Sequence, residues 1–351
     1  MEKRLSVAIA HYDDLDGAYF TIQDIRKELT FNGRQDLLQQ IEFVICENNP
    51  DSDHARELKN FAIQNLAPEK SLSYTIQREN KGTAVAKDSA IAAANGEFIL
   101  MLDSHVLLCP TTRVFEKLFE FMDENPDTNN LYNGPLVYDN CKSVSTHFRN
   151  TWGAGMWGSW ATSWKCSCNG FYYDLELSDE ELIVRSTKDS KIIKECPACG
   201  YNFSKLEEDN YYRSLSDDGH LLAVKTFDEE PFEIFGQGTG CFFVRKDAWL
   251  GYNKYARGFG GEECYIHEKF RQSSAKTLCL PFLAWMHKFH RVETPSYPLE
   301  HYYKVRNYVL EFVELDLDLT PVFNYFVIQN NFDEIVYNSF VREANYLHNK
   351  E

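Results

Sequence analysis

The chain has 351 residues, a formal charge of −17, and 44% hydrophobic and 25% charged residues. That length exceeds one ordinary domain of roughly 100–200 residues, and the composition excludes wholesale disorder. The acidity excludes a broadly basic surface of the kind that binds nucleic acid non-specifically. No apolar run approaches the roughly 18–20 residues that span a bilayer, and the run after Arg4 is too short for a signal-peptide core. A soluble, cytoplasmic protein with no membrane contact is expected.

Leu5–Ala10 reads as a buried strand running into the polar loop HYDDLDG. Residues 18–31 have helical period, and IEFVICENNP is a second strand with a polar turn. Residues 54–66 are helical, and LSYTIQ is a third strand. GTAVAKDSAIAAANG is an Ala-rich helix stopped by Gly96, and EFILML is a fourth strand. Strands alternating with helices predict parallel βαβ units, whose ligands sit past the carboxyl ends of the strands. The residues there are His11–Asp14, Glu47–Asn49, Arg78–Lys81 and Asp103–His105. An amphipathic helix is expected before Pro126. Trp152–Trp164 reads as a Gly-rich loop exposing four tryptophans, which either anchor under a neighbouring element or wall a site for a planar or sugar-like ligand. The chain from His301 onward is helical in pattern, with Pro321 breaking it.

Asp103 and His105 alternate at an extended chain end and so project from one side of it. Carboxylate and imidazole together suit Mn²⁺ or another first-row divalent ion better than Ca²⁺. A short D-x-H also recurs by chance; its place after a buried strand singles it out. A third ligand is available in LPFLAWMHKFHR, from His287 or His290. A strand LCLPFLAW ending near Trp285 brings His287 out at its tip. In GFGGEECYIHEKFR the glycines allow close backbone approach, and Glu262 and Glu263 open a helix. A carboxylate there serves as general base, holds a substrate hydroxyl, or is simply an acidic helix start. The strand-end position of Asp103 predicts that Asp103→Ala removes turnover with little loss of stability.

Of ten cysteines, six are scattered in apolar segments and read as buried free thiols: Cys46, Cys109, Cys141, Cys241, Cys264 and Cys279. Cys166-x-Cys168 and Cys196-Pro-Ala-Cys199-Gly200 form two knuckles with the spacing of a zinc ribbon. Four thiolates close a tetrahedral site, so this Zn²⁺ is a structural staple. The alternative is two disulfides or free thiols.

The stretch RENKGTAVAKDSAIAAANGEFILMLDSHV resembles glycosyltransferase family 2 and the GT-A pattern, with a histidine in place of the second acid of D-x-D. With the later FGGEE and P-x-x-x-x-x-H-x-F-x-R, it is similar to the polypeptide N-acetylgalactosaminyltransferases. The resemblance covers roughly residues 5–110 and 235–292. It implies an α/β, Rossmann-like GT-A fold, a UDP-sugar donor, and Mn²⁺ (or Mg²⁺) held by Asp103, His105 and His287. His287 is favoured over His290 because it follows Pro281 by six residues, as in that family. The lectin domain and membrane anchor usual there have no counterpart, which leaves the acceptor open. By their places at strand ends, His11, Asp13, Glu47, Asn49, Arg78, Lys81 and Asp103 are candidates for the nucleotide-sugar, and Glu262 and Glu263 for catalysis.

The expected organisation is a nucleotide-sugar-binding half (1–110), the acceptor-side start of the core (111–164), a zinc-ribbon-like insertion (165–215), an acceptor-side catalytic half (216–300) and a C-terminal helical segment (301–351). The expected activity is metal-dependent hexosyl or N-acetylhexosaminyl transfer from a UDP-sugar to a hydroxyl of protein Ser/Thr or a glycan. Two alternatives are transfer to hydroxymethylated pyrimidines of phage DNA, and a non-catalytic nucleotide-sugar-binding or scaffold protein. Family 2 enzymes mostly invert, whereas the second resemblance implies retention; both outcomes stay open.

Overall fold

A computed structural model describes residues 3–77, 79, 81–109, 113–138, 144–168, 170–178, 181–208, 230–288 and 298–350. Arg78, Cys141 and His290, singled out above, lie outside these residues, as does 209–215 of the expected insertion. The chain opens with the alternation read from the sequence: β1 (Leu5–His11), α1 (Leu15–Phe31), β2 (Ile41–Glu47), α2 (Asp53–Asn65), β3 (Leu72–Ile76), α3 (Thr83–Ala93) and β4 (Phe98–Asp103). β1, β2 and β4 are buried almost throughout, which is why they read as continuous apolar runs. They pair in parallel in the order β3-β2-β1-β4. The register sets His11 opposite Glu47 and Ala10 opposite Asp103, so the polar residues past these strands share one edge.

Next come β5 (Val106–Leu108) and α4 (Val114–Glu124), which ends before Pro126 as expected and buries the stripe Val114, Phe115, Leu118, Phe119 and Met122. β6 (Leu131–Asn133), β7 (Leu136–Val137) and β8 (Val144–Ser145) follow. The tryptophan-rich stretch is not a loop. It forms most of a hairpin, β9 (His147–Gly153) and β10 (Met156–Ala161), and enters β11 (Ser163–Lys165). Its glycines hide the two-residue alternation that marks a strand. Trp157 is 7% exposed, and Trp152 packs its ring against Tyr308, Phe312, Tyr325 and Phe326 of the C-terminal segment. These rings anchor the hairpin. β11 joins β12 (Tyr172–Ser178) and β13 (Glu181–Ser186) in a separate antiparallel sheet.

The chain then adds β14 (Phe232–Glu233), β15 (Cys241–Arg245), α5 (Glu262–Gln272), β16 (Thr277–Cys279), β17 (Trp285–His287), α6 (His301–Glu314) and α7 (Glu334–His348). The main sheet has the order β14-β16-β6-β15-β4-β1-β2-β3, with β15 antiparallel to β4. α1, α2 and α4 cover one face, and α3 and α5 the other. LCLPFLAW, read as one strand, makes two. β16 lies in the main sheet, and β17 in a second sheet of order β5-β17-β7-β8; Pro281 between them cannot donate to a ladder. α6 already ends at Glu314, and Pro321 sits in the first turn of the next helical piece, Thr320–Phe323, where its missing N–H costs nothing. It starts a helix rather than breaking one. The described scattered cysteines form no disulfide: Cys46, Cys241, Cys264 and Cys279 are buried and Cys109 is half-buried. No helix among the described residues is long and apolar enough to cross a membrane.

Candidate active site and metal centre

β4 ends at Asp103, and Ser104–His105 turn the chain into β5. β17 runs antiparallel to β5 and pairs His287 with Val106. Two sheets therefore deliver Asp103, His105 and His287 to one place, with ligand atoms all within 4.8 Å of one another. His105 Nε2 lies 2.9 Å from His287 Nε2, which is 3.8 Å from Asp103 Oδ2. The other ring nitrogen of His105, Nδ1, donates to Asp14 Oδ2 at 2.8 Å, which leaves the Nε2 lone pair turned toward His287. Two imidazole nitrogens meeting at this distance beside a carboxylate fit a cation between them, and the mixed nitrogen and oxygen donors suit a first-row divalent ion.

Behind the cluster, Asp103 Oδ1 pairs with Lys87 Nζ at 3.1 Å. Lys87 is 1% exposed and also donates to the carbonyl and hydroxyl of Thr239 at 2.8 and 3.1 Å. Burial alone raises the Asp103 carboxyl, but Lys87 and then His105 and His287 outweigh it and hold it below the usual carboxylate range. Sequence reasoning passed over Lys87. The signal was present: it sits three residues after Ala84 and four before Ile91, on the buried stripe of α3.

Asp103 and His105 form one wall of a cleft of about 270 Å³; His287 stands beside them and does not line it. Tyr12, Asn48, Gly82 and Thr83 line its first-half side, and Arg257, Gly258, Phe259, Glu300 and Tyr303 the other. Gly82 has φ +100°, and a Cβ there would overlap the Gly258 carbonyl oxygen, which accepts from Thr83 N–H at 3.0 Å. Only glycine lets the start of α3 meet the loop before α5 so closely.

His11 lines the cleft, yet its ring is fully buried: Nδ1 donates to Glu47 Oε2 at 2.6 Å and Nε2 accepts from Asp14 N–H at 3.0 Å. Glu47, 1% exposed, also accepts from Asn49 N–H at 2.7 Å. Asp13 turns to His54, 3.2 Å away, at the start of α2. Lys81 is half-buried just before Gly82. Glu262 and Glu263 open α5, as the glycine pattern predicts. Glu262 is 3% exposed; burial first, then Glu263, pushes its carboxyl up to about 7, against the opposing pull of Lys87. Asp13, Glu47, Asn49, Lys81, Glu262, Glu263 and His287 are not among the cleft-lining residues; the cleft also uses Asp14, Ser104, Arg257 and Tyr303.

The four paired cysteines converge as well. Cys166 Sγ is 3.8 Å from Cys199 Sγ, and Cys168 Sγ is 3.9 Å from Cys196 Sγ. Four sulfurs about 2.3 Å from a tetrahedral Zn²⁺ are separated by about 3.8 Å, whereas a disulfide needs about 2.05 Å. Gly170 N–H donates to Cys168 Sγ and draws that thiol down to about 7. Tyr173, Val184, Phe203 and Leu206 pack around Cys166 and Cys196 as a small core of their own.

The family model described as glycosyl transferase family 2 matches residues 6–208. No curated protein sequence matches significantly. Among solved structures, that of GalNAc-T7 with UDP, GalNAc and Mn²⁺ aligns with a TM-score of 0.55 at 15% identity, covering 98% of this chain and 55% of that one. The chain thus spans about half the length of that relative. TarS (residues 1–349) of S. aureus with UDP-GlcNAc aligns with a TM-score of 0.48 at 13% identity, covering 97% of this chain and 79% of that one. The mannosyltransferase PcManGT of Pyrobaculum calidifontis with GDP-Man and Mn²⁺ aligns with a TM-score of 0.43 at 12% identity, covering 99% of this chain and 70% of that one.

Proposed function

The chain belongs to glycosyl transferase family 2 and has the GT-A fold, and on that premise we propose that it moves a hexosyl or N-acetylhexosaminyl group from a UDP-sugar to a hydroxyl of a protein Ser/Thr or a glycan. The observation that carries the reading is the convergence of His287 on Asp103 and His105, which line a cleft at the carboxyl ends of the parallel strands. The likeness to a transferase solved with UDP, GalNAc and Mn²⁺ supports the donor class and the metal. Asp103, His105 and His287 would hold Mn²⁺, which as a Lewis acid stabilises charge developing on a diphosphate leaving group.

The chain's own residues do the rest. Lys87 keeps Asp103 ionised and oriented. The N-terminus of α3 opens on the cleft, where a helix start favours an anion. Arg257 is the single Lys or Arg among the described lining residues, enough to face a diphosphate and too few to track a DNA backbone. Glu262 sits near neutrality, where a carboxyl exchanges protons readily, and Glu262 with Glu263 is our candidate for the acceptor hydroxyl. The fourfold cysteine site would hold a structural Zn²⁺ that staples the two knuckles, Cys166–Cys168 and Cys196–Cys199, together. The buried free thiols support a reducing, cytoplasmic setting. Residues 1–110 form the donor half and 216–300 the acceptor half in this reading.

The test is release of UDP from a panel of UDP-sugars with and without Mn²⁺. Metal-dependent release from one donor is expected, lost in Asp103→Asn, which keeps an acceptor for Lys87. A wild-type rate in that variant at saturating Mn²⁺ overturns the assignment.

A further inference from the structure

We propose that Asp14 is the positioning residue of the metal centre, and that the buried His11–Glu47 pair holds it in place. The inference rests on the reading that Asp103, His105 and His287 bind a divalent cation. Asp14 divides its two carboxylate oxygens between separate tasks. Oδ1 caps α1 by accepting from Gly17 N–H at 3.3 Å. Oδ2 accepts from His105 Nδ1 and from Ser104 Oγ, both at 2.8 Å. A ligating histidine whose second nitrogen donates to a carboxylate is fixed in tautomer and ring orientation and is a stronger donor to the metal.

Asp14 is itself fixed from behind. Its own N–H donates to His11 Nε2 at 3.0 Å, and His11 Nδ1 donates to Glu47 Oε2 at 2.6 Å. Both of those side chains are sealed from solvent, at 0% and 1% exposure. The other side is equally tight. A Cβ on Gly17 would stand 2.5 Å from Asp14 Oδ2 and 2.7 Å from the Ser104 carbonyl. Thr21 Oγ1 donates to the carbonyls of Ser104 and Val106 at 2.9 and 2.8 Å. The start of α1 therefore grips both ends of the Ser104–His105 turn, and Asp14 transmits that grip to the imidazole. The loop after β1 thus acts on the metal wall of the cleft.

Asp14→Asn separates this role from simple capping. Asparagine caps a helix as well as aspartate does. Its amide nitrogen, in place of Oδ2, cannot accept from His105 Nδ1–H. Mn²⁺ is titrated into wild type and variant, alone and with UDP, by electron paramagnetic resonance of the free ion. The expected result is a Kd weakened about 10–100-fold with an unchanged melting temperature of the metal-free protein. Equal Kd values overturn the proposal while leaving the metal site standing. Wild-type protein that binds no Mn²⁺ in either condition overturns both. Should the variant not fold, ¹⁵N shifts of His105 in wild-type metal-free protein decide: an Nδ1–H ring supports the proposal, and an Nε2–H ring overturns it.

Discussion

Glu262 opens α5 with only 3% of its surface exposed, and Glu263 follows it directly. Burial and that neighbour move its carboxyl from 4.5 up to about 7. An unfolded glutamate loses its proton near 4.5, so between there and about 7 the folded chain holds a proton that the unfolded chain has released. Stability therefore falls as pH rises through that window and levels above it, by roughly 3 kcal/mol for this group. Glu311, buried at 1% exposure and also raised, adds a slope of the same sign. Thermal unfolding followed from pH 5 to pH 8 is expected to show a shallower fall for Glu262→Gln than for wild type. Identical slopes would remove Glu262 as the source. The site's residues were unevenly legible in sequence. Asp103 and His105 stand out because a buried strand has no structural use for an acid and an imidazole at its end. Lys87 does not, because a lone lysine in an Ala-rich helix is read as solvated. That omission changes one expectation: Asp103→Ala, read as nearly neutral for folding, strands a buried ammonium, a change that costs about 3–5 kcal/mol.

At the scale of elements, α6 gave no sign of a role beyond its helical period, yet the glycine loop before α5 is built on it. Asn307, 3% exposed, accepts from Arg257 N–H at 3.0 Å and donates to the carbonyls of Arg257 and Gly260 at 2.8 and 2.9 Å. Gly258 has φ +67° and lies against Tyr303 one turn earlier, and Gly261 lies against Glu311 one turn later. A helix pattern reveals which face is buried, not which loop that face templates, because the loop's partner is some fifty residues away in sequence. Asn307→Ala leaves three backbone groups of the loop without partners, at about 1–3 kcal/mol each where they stay dry. Faster amide exchange at residues 257–261 is expected, together with a lower kcat and little change in Mn²⁺ affinity. Unchanged exchange at those amides would show that the loop holds its shape without α6. The β-hairpin at 147–161 makes a related point: its tryptophans left anchoring and a ligand wall both open because the partners of Trp152, Tyr308 to Phe326, come from the far end of the chain.

Across the whole molecule, the cysteine module is attached to the sheet but separate from the cleft. Arg149 on β9 makes a two-pronged pair with buried Asp174 on β12. Thr187 Oγ1 donates to the Glu233 carbonyl, and Phe235 N–H to the Thr187 carbonyl, joining the module to the segment at β14. Tyr172 stacks on Phe232 at that edge. None of these residues lines the cleft. The module's apolar core is a handful of side chains, too small to fold without a staple. Cys196, 2% exposed, is one of two thiols at its centre. Cys196→Ser is expected to abolish bound Zn²⁺ and to add an early melting step confined to residues 165–208, seen as loss of amide protection there. Mn²⁺ affinity should stay within about twofold, since sites that share no partners behave independently. A single cooperative transition, with Mn²⁺ affinity lost in step with Zn²⁺, would mean that the module supports the cleft through the β14 edge.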